Sequence, residues 1–144
     1  MELSSRVRYA LLALLELASS YEQGNFLQID QIAATHRIPE RYLAQLLMAL
    51  RRCGLVRSQR GAKGGYALAK EPEQITIREV VVCLEGVKSL EPIGQTAAVT
   101  PASAVIEEVW QEATTAAITV LQRHTLQDLR QKRDNSQLNS MYYI

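Results

Sequence analysis

Apolar residues recur at helical spacing along most of the chain, and the places where that spacing fails divide it into elements. Val7, Ala10, Leu11, Leu14, Leu17 and Ala18 form one stripe, with Ser4 or Ser5 ahead of it to cap a helix ending near Ser20. Leu12 and Leu15 fall off that stripe, and a helix apolar on more than one side is covered by more than one neighbour. Residues 22–27 turn around Gly24–Asn25. From Asp30 to Thr35 the pattern predicts a short helix, with Ile29 and Ile32 inward and Ala33 small. Thr35-His36-Arg37 breaks it, and His36 is expected to take the left-handed turn, which histidine tolerates better than most residues. Pro39 then opens a second helix at a position where a missing N–H costs nothing. That helix buries Leu43, Leu46, Leu47 and Leu50, turns Glu40, Arg41, Gln45, Arg51 and Arg52 outward, and stops near Cys53 at Gly54.

Two short helices joined by a tight turn, with a small residue for close crossing, make a helix-turn-helix pattern. Leu55–Arg60 and Tyr66–Ala69 follow as strands around the glycine-rich tip Gly61–Gly65. A phosphate loop fits those glycines poorly, because no Gly-Lys-Ser/Thr follows and no helix begins there. A helix-turn-helix running straight into a basic-tipped hairpin is a winged helix, and the order of elements is more diagnostic than any one of them.

Beyond the hairpin, Thr76–Glu85 predicts an amphipathic helix with Ile77, Val80, Val81 and Leu84 inward. Residues 86–99 are expected to be irregular, broken by Gly86, Pro92 and Gly94. Thr100-Pro101 caps and starts a long helix to about His124, where a protonated imidazole suits the helix end. Its stripe holds Val105, Ile106, Val109, Trp110, Ala113, Ala116, Ala117, Val120 and Leu121. At 1.5 Å per residue this helix is about 35 Å long, more than a small winged helix needs to cover itself, so packing against a second copy is expected. Ile106, Val109, Trp110, Ala113, Ala117, Val120 and Leu121 are the predicted dimer contacts. Thr125-Leu126-Gln127-Asp128 reads as the capping box of a final short helix, and the end of the chain as a loose tail. The expected class is mainly α. Residues 1–85 form the winged-helix part and 86–100 a loop; 101–131 carry the dimerisation and short terminal helices, and 132–144 the tail.

Charge sharpens this division. Residues 1–70 hold ten Lys/Arg against five Asp/Glu, a net of +5, while residues 71–144 hold six against ten, a net of −4. A polyanionic partner is therefore expected for the first half only. No apolar run approaches the roughly 20 residues needed to span a bilayer, and Glu16 interrupts the apolar stretch Ala10–Leu17. The reading is a cytoplasmic protein without a membrane partner. Cys53 and Cys83 stand apart rather than in CxxC pairs, which predicts core residues, not a disulfide framework or a zinc site. A redox role for either is the alternative. His36 and His124 are separated and lack an acidic neighbour in sequence, so no metal site is expected. Nothing supplies a nucleophile, a base and an electrophile together, so the chain is not read as an enzyme.

The opening MELSSRVRYALLALLELA, the string LxxLLxxLRRxGLVxSxRGxxGGY within Tyr42–Tyr66 and the late TLQDL resemble the Rrf-two family of bacterial winged-helix transcriptional regulators over about residues 1–130. The resemblance implies a homodimer on palindromic double-stranded DNA, its recognition helix in the major groove and its wing in the adjacent minor groove. Arg41, Tyr42 and Gln45 then occupy the recognition-helix positions that face DNA, with core packing the alternative for Tyr42; Arg51 is read as a phosphate contact, with ordinary surface as its alternative. Arg60 matches the family's minor-groove arginine, on a tip formed with Gly61, Lys63 and Gly64. Ala44 stands where family iron–sulfur sensors carry a glutamate that tunes operator choice. Those sensors also place three cysteines in the loop before the long helix. Here that loop has none, Glu107 stands at a histidine-ligand position and Arg8 at an aspartate-ligand position. A thiolate-held cluster cannot assemble without thiolates, so no iron–sulfur cofactor is expected. Some relatives act with a metabolic enzyme, which makes an enzyme partner a further expectation.

Overall fold

The computed structural model describes residues 2–90 and 100–142. Its first helix, α1 (Ser5–Ser19), starts where the Val7 N–H donates to Ser4 Oγ at 3.2 Å. It buries Val7, Ala10, Ala13, Leu14, Leu17 and Ala18, and serves as the hub of the core. Leu11 packs at the edge of that core and Ala13 lies inside it. Small residues at 10, 13 and 18 let neighbouring elements come close on several sides.

Helices α2 (Ile29–His36) and α3 (Glu40–Arg52) form the helix-turn-helix. The left-handed residue of the turn is Arg37, with φ 54°, not His36. The extra helical residue brings the His36 ring to α1, where Nε2 lies 2.9 Å from Glu16 Oε1. This histidine thus has an acidic partner that a separation of twenty positions concealed. Pro39 caps α3 rather than opening it, and its carbonyl accepts the Leu43 N–H at 2.9 Å. The four predicted leucines of α3 are all buried.

Strands β1 (Val56–Gln59) and β2 (Gly65–Leu68) pair antiparallel, Val56 opposite Leu68 and Gln59 opposite Gly65. The hairpin is anchored on its other edge as well. Leu27 and Tyr66 exchange both backbone hydrogen bonds, at 2.9 and 2.8 Å, which places the connection between α1 and α2 beside β2. A single 3₁₀ turn (Pro72–Gln74) leads to α4 (Ile77–Glu85), capped by Thr76 Oγ1, which accepts the Glu79 N–H at 3.1 Å. Val80 and Leu84 are buried, and Val81 packs at the core's edge. A short 3₁₀ turn covers Val87–Leu90. Residues 91–99, with Pro92 and Gly94 of the predicted irregular loop, lie outside the described residues.

Cys53 is not a core residue. It is exposed at the C-cap of α3 and joined in a disulfide to the half-buried Cys83 of α4, with Cα atoms 6.1 Å apart. Packing of α3 on α4 brings the two together, a relation that a separation of thirty positions hides from sequence spacing.

Helix α5 (Pro101–Arg123) begins at a Thr100–Ser103 capping box and has no buried residue of its own. Helix α6 runs Leu126–Tyr142, so the stretch read as a short helix and loose tail is one helix through residue 142. Leu126 is fully buried and Leu129 packs on the same core, which fixes the first turns against α1. No Gly or Pro follows Pro101, and a nucleated helix without a breaker propagates at little cost. An ion pair from Arg130 to Glu22 (3.8 Å) ties it to the turn that follows α1.

The capping box of α6 makes a pH prediction. Asp128 Oδ2 accepts the Thr125 N–H at 2.9 Å, and the Asp128 N–H donates to Thr125 Oγ1 at 3.2 Å. The Thr125 N–H is the main cause holding this carboxyl below its ordinary value of 3.8; partial desolvation opposes it, while the Thr125 hydroxyl and the charges of His124 and Lys132 add to it. A carboxylate with a depressed folded-state pKa stabilises fully above its unfolded value and loses that contribution as pH falls through the folded one. Asp128→Ala is therefore expected to lower stability at pH 7, with the gap from the parent narrowing below about pH 4. Urea unfolding at pH 7, 5, 4 and 3 checks this, and a gap independent of pH would refute it.

Candidate nucleic-acid interface

Residues at i, i+4, i+7 and i+11 share one side of a helix, and on α3 these are Arg41, Gln45, Met48 and Arg52. All four are exposed, Met48 by 55%. They form the solvent face opposite Leu43, Leu46, Leu47 and Leu50. Arg51 turns toward the wing, where it and Glu40 line one side of a cleft of about 410 Å³. The other side is the wing itself, with Arg60, Gly61 and Gly64, and the start of α2 closes the end with Gln28 and Asp30. Asp30 and Glu40 keep the cleft from being uniformly positive. Among the described residues no ion pair engages Arg41, Arg51, Arg52, Arg60 or Lys63.

The wing tip owes its shape to glycines and to contacts behind it. Gly61 has φ +106°, and its carbonyl accepts the Gly64 N–H at 3.0 Å. Gly64 is buried, and a Cβ there would lie 2.8 Å from the Arg60 carbonyl carbon. Both glycines therefore shape the tip that presents Arg60 and Lys63. Gln28 Nε2 donates to the Ala62 carbonyl at 3.3 Å, and the Arg57 guanidinium sits 4.9 Å over the Phe26 ring. A cation over an aromatic face is attracted to its negative quadrupole.

The structure leaves most of the predicted DNA-facing residues exposed. Arg41 and Gln45 lie together on the outer face of α3, Arg51 on the cleft, and Arg60 and Lys63 at the exposed tip. Tyr42 differs: it is half-buried and edge-on to Tyr9 of α1, ring centroids 5.8 Å apart, and so belongs to the α1–α3 contact. Met48 shares the exposed face of Arg41 and Gln45, a grouping that helical spacing already contains. Phe26, Leu27 and Gln28 were missed, because their role is set by the pairing with the wing.

The second surface is the outer side of α5. Ile106 is 63% exposed, Val109 61% and Trp110 71%, with Ala113 and Val120 also exposed and Ala117 and Leu121 partly so. At 100° per residue these seven fall in one stripe. Among the described residues no helix is long and apolar enough to cross a membrane.

Comparison with known proteins agrees with this architecture. Residues 3–132 match the Rrf2 family, described as iron-dependent transcriptional regulators. The HTH-type transcriptional regulator CymR of Bacillus subtilis is 37% identical over 144 residues, covering 100% of both chains. The solved structure of CymR, described as the global cysteine regulator of B. subtilis, superimposes with a TM-score of 0.82 at 36% identity, covering 92% of this chain and 98% of its own. T. potens IscR superimposes with a TM-score of 0.77 at 31% identity, covering 95% and 91%. With its helix-turn-helix, its wing and a match along nearly its whole length, the chain belongs to the Rrf2 family of helix-turn-helix transcriptional regulators.

Proposed function

We propose that two copies of this chain, joined along α5, bind a palindromic double-stranded DNA operator in the cytoplasm and catalyse no reaction. The observation that supports this reading is the exposure of Arg41, Gln45, Met48 and Arg52 on one face of α3, together with a cleft that joins Arg51 of the same helix to Arg60 of the wing. A helix face of that width fits a major groove, where Arg and Gln read base edges and Met48 offers an apolar contact to a thymine methyl group. The wing tip reaches the neighbouring minor groove, where Arg60 meets the concentrated negative potential of a narrow A·T-rich segment. The apolar stripe of α5 supplies the seam between protomers, and two-fold symmetry of the protein then matches two-fold symmetry of the operator.

The donor set does not fit the iron–sulfur cluster that some family members hold. Residues 86–104 contain neither cysteine nor histidine, and the chain's two cysteines are bonded to each other between α3 and α4. Regulation here therefore proceeds without that cofactor in our reading.

Operators selected from a random DNA pool test the proposal. Arg60→Ala is expected to weaken binding by about 1–3 kcal/mol, roughly five- to 150-fold. The logarithm of affinity should fall linearly with the logarithm of salt concentration, because bound phosphates release counterions. Binding that ignores sequence, or that Arg60→Ala leaves untouched, would count against the reading.

A further inference from the structure

The Cys53–Cys83 bond ties two regions that have different jobs in the function proposed above. Cys53 ends α3, and Gly54 (φ +78°) and Leu55 lead directly from it into the wing strand β1. Cys83 belongs to α4, which packs against α5 and so against the half of the molecule that carries the dimer stripe. We propose that this cysteine pair is a reversible thiol–disulfide site, oxidised by a low-molecular-weight disulfide, whose closed form binds the operator more tightly. The proposal rests on the DNA-binding reading.

Three observations support it. Cys53 is exposed and Cys83 only half-buried behind it, so one sulfur is open to a small reactant and the other is placed to resolve the product. Both redox states can be housed. Cys83 Sγ lies 3.5 Å from the Ala49 carbonyl oxygen, an acceptor within reach of its thiol once the bond opens, and exposed Cys53 has solvent beside it. The bond is also not what holds α3 against α4, since Leu50 of α3 and Val80 and Leu84 of α4 share one buried cluster. In a compartment that keeps thiols reduced, a disulfide that the core does not need is a signalling bond rather than a structural one.

The chemistry balances with one small disulfide. The Cys53 thiolate attacks a sulfur of the reactant, forming a mixed disulfide and releasing one thiolate. The Cys83 thiolate then attacks Cys53 Sγ and expels the second. Two protein thiols are oxidised, one small disulfide is reduced to two thiols, and the two cysteine protons pass through solvent to the released thiolates. No other cysteine exists in the chain to divert the exchange. Closing the bond fixes the end of the recognition helix and the root of the wing to the helix nearest the dimer core. The ordering that DNA binding requires is then partly complete beforehand, which favours the closed form.

The test uses the full chain equilibrated with glutathione disulfide or with dithiothreitol, and titrated by fluorescence anisotropy against a selected operator at fixed salt. Intact mass should show loss of two hydrogens on oxidation and full reversal on reduction. The oxidised protein is expected to bind about fivefold tighter. Cys53→Ser, which lacks the exposed thiol, should keep the reduced affinity under both conditions, whereas Cys83→Ser should stop at the glutathione adduct on Cys53 and not reach the affinity of the closed form, with circular dichroism reporting the fold of both. Cys53→Ser, at the exposed position, serves if the Cys83 variant does not fold. Equal operator affinity in both redox states, or oxidation of the parent chain that stops at a glutathione adduct, overturns the proposal alone. Absence of binding in both states overturns it together with the DNA-binding reading.

Discussion

Replacing Ile106 and Val109 together by glutamate is expected to yield a folded monomer that has lost operator binding at concentrations where the parent is saturated. Neither side chain is buried in the protomer, and α5 as a whole buries none of its residues there. The substitution therefore costs the single chain little. In a dimer the same two carboxylates fall in the middle of an apolar seam, where an unpaired charge is strongly disfavoured. A palindrome bound through only one half-site forfeits the gain from linking two contacts, a loss of about a hundredfold or more. Sedimentation at micromolar concentration and an operator titration on the same sample decide the matter. A variant that stays dimeric and binds like the parent removes α5 as the seam.

Gly65→Val carries the second large effect. Gly65 has φ +136°, a region essentially closed to β-branched residues. A Cβ at this position would collide with the Leu27 carbonyl, which is backbone and cannot swing aside. Either β2 moves off Leu27 and loses both hydrogen bonds between Leu27 and Tyr66, or the strand twists at its first residue. A stability loss of about 2–4 kcal/mol is expected, together with weaker operator binding as the tip carrying Arg60 is displaced. Gly61→Ala is the control: φ is positive there too, but nothing lies within 4 Å of the added carbon, so only the smaller backbone cost remains. Urea denaturation of the two variants should separate them clearly. If Gly65→Val unfolds like the parent, the bridge to Leu27 is not what holds the wing.

The comparison of these two glycines shows where sequence reading reaches its limit. Both sit in the same predicted hairpin tip, and chain-local signals cannot tell one from the other. What distinguishes Gly65 is Leu27, thirty-eight positions earlier and inside what reads as a plain turn. Elements whose identity depends on their own periodicity were legible: the leucines of α3, the capped start of α5, and the outward placing of Arg41, Gln45 and Arg60. Properties that arise between elements were not. The Cys53–Cys83 bond, the His36–Glu16 contact and the packing of Tyr42 on Tyr9 each depend on which helices come to lie side by side. The last helix failed for another reason. Its later turns lack an apolar stripe, so only the anchoring of Leu126 and Leu129 and the absence of a breaker reveal it.

The joint between α5 and α6 bears on how this protein could be taken apart. Thr125 pairs with Thr76 just before α4, the Ile77 N–H donates to the His124 carbonyl at 3.0 Å, and the Leu126 N–H donates to Ile75 at 2.9 Å. The side chain of Leu126 completes the same hydrophobic cluster that supports the helix-turn-helix. The DNA-reading module is consequently discontinuous along the chain. A fragment cut after α4 would lack one of its own core residues, and a graft exchanging the long helix with a relative's must leave His124–Leu129 behind. The transplantable unit is α5 alone, a single helix whose C-terminal end is stitched back into the fold at His124.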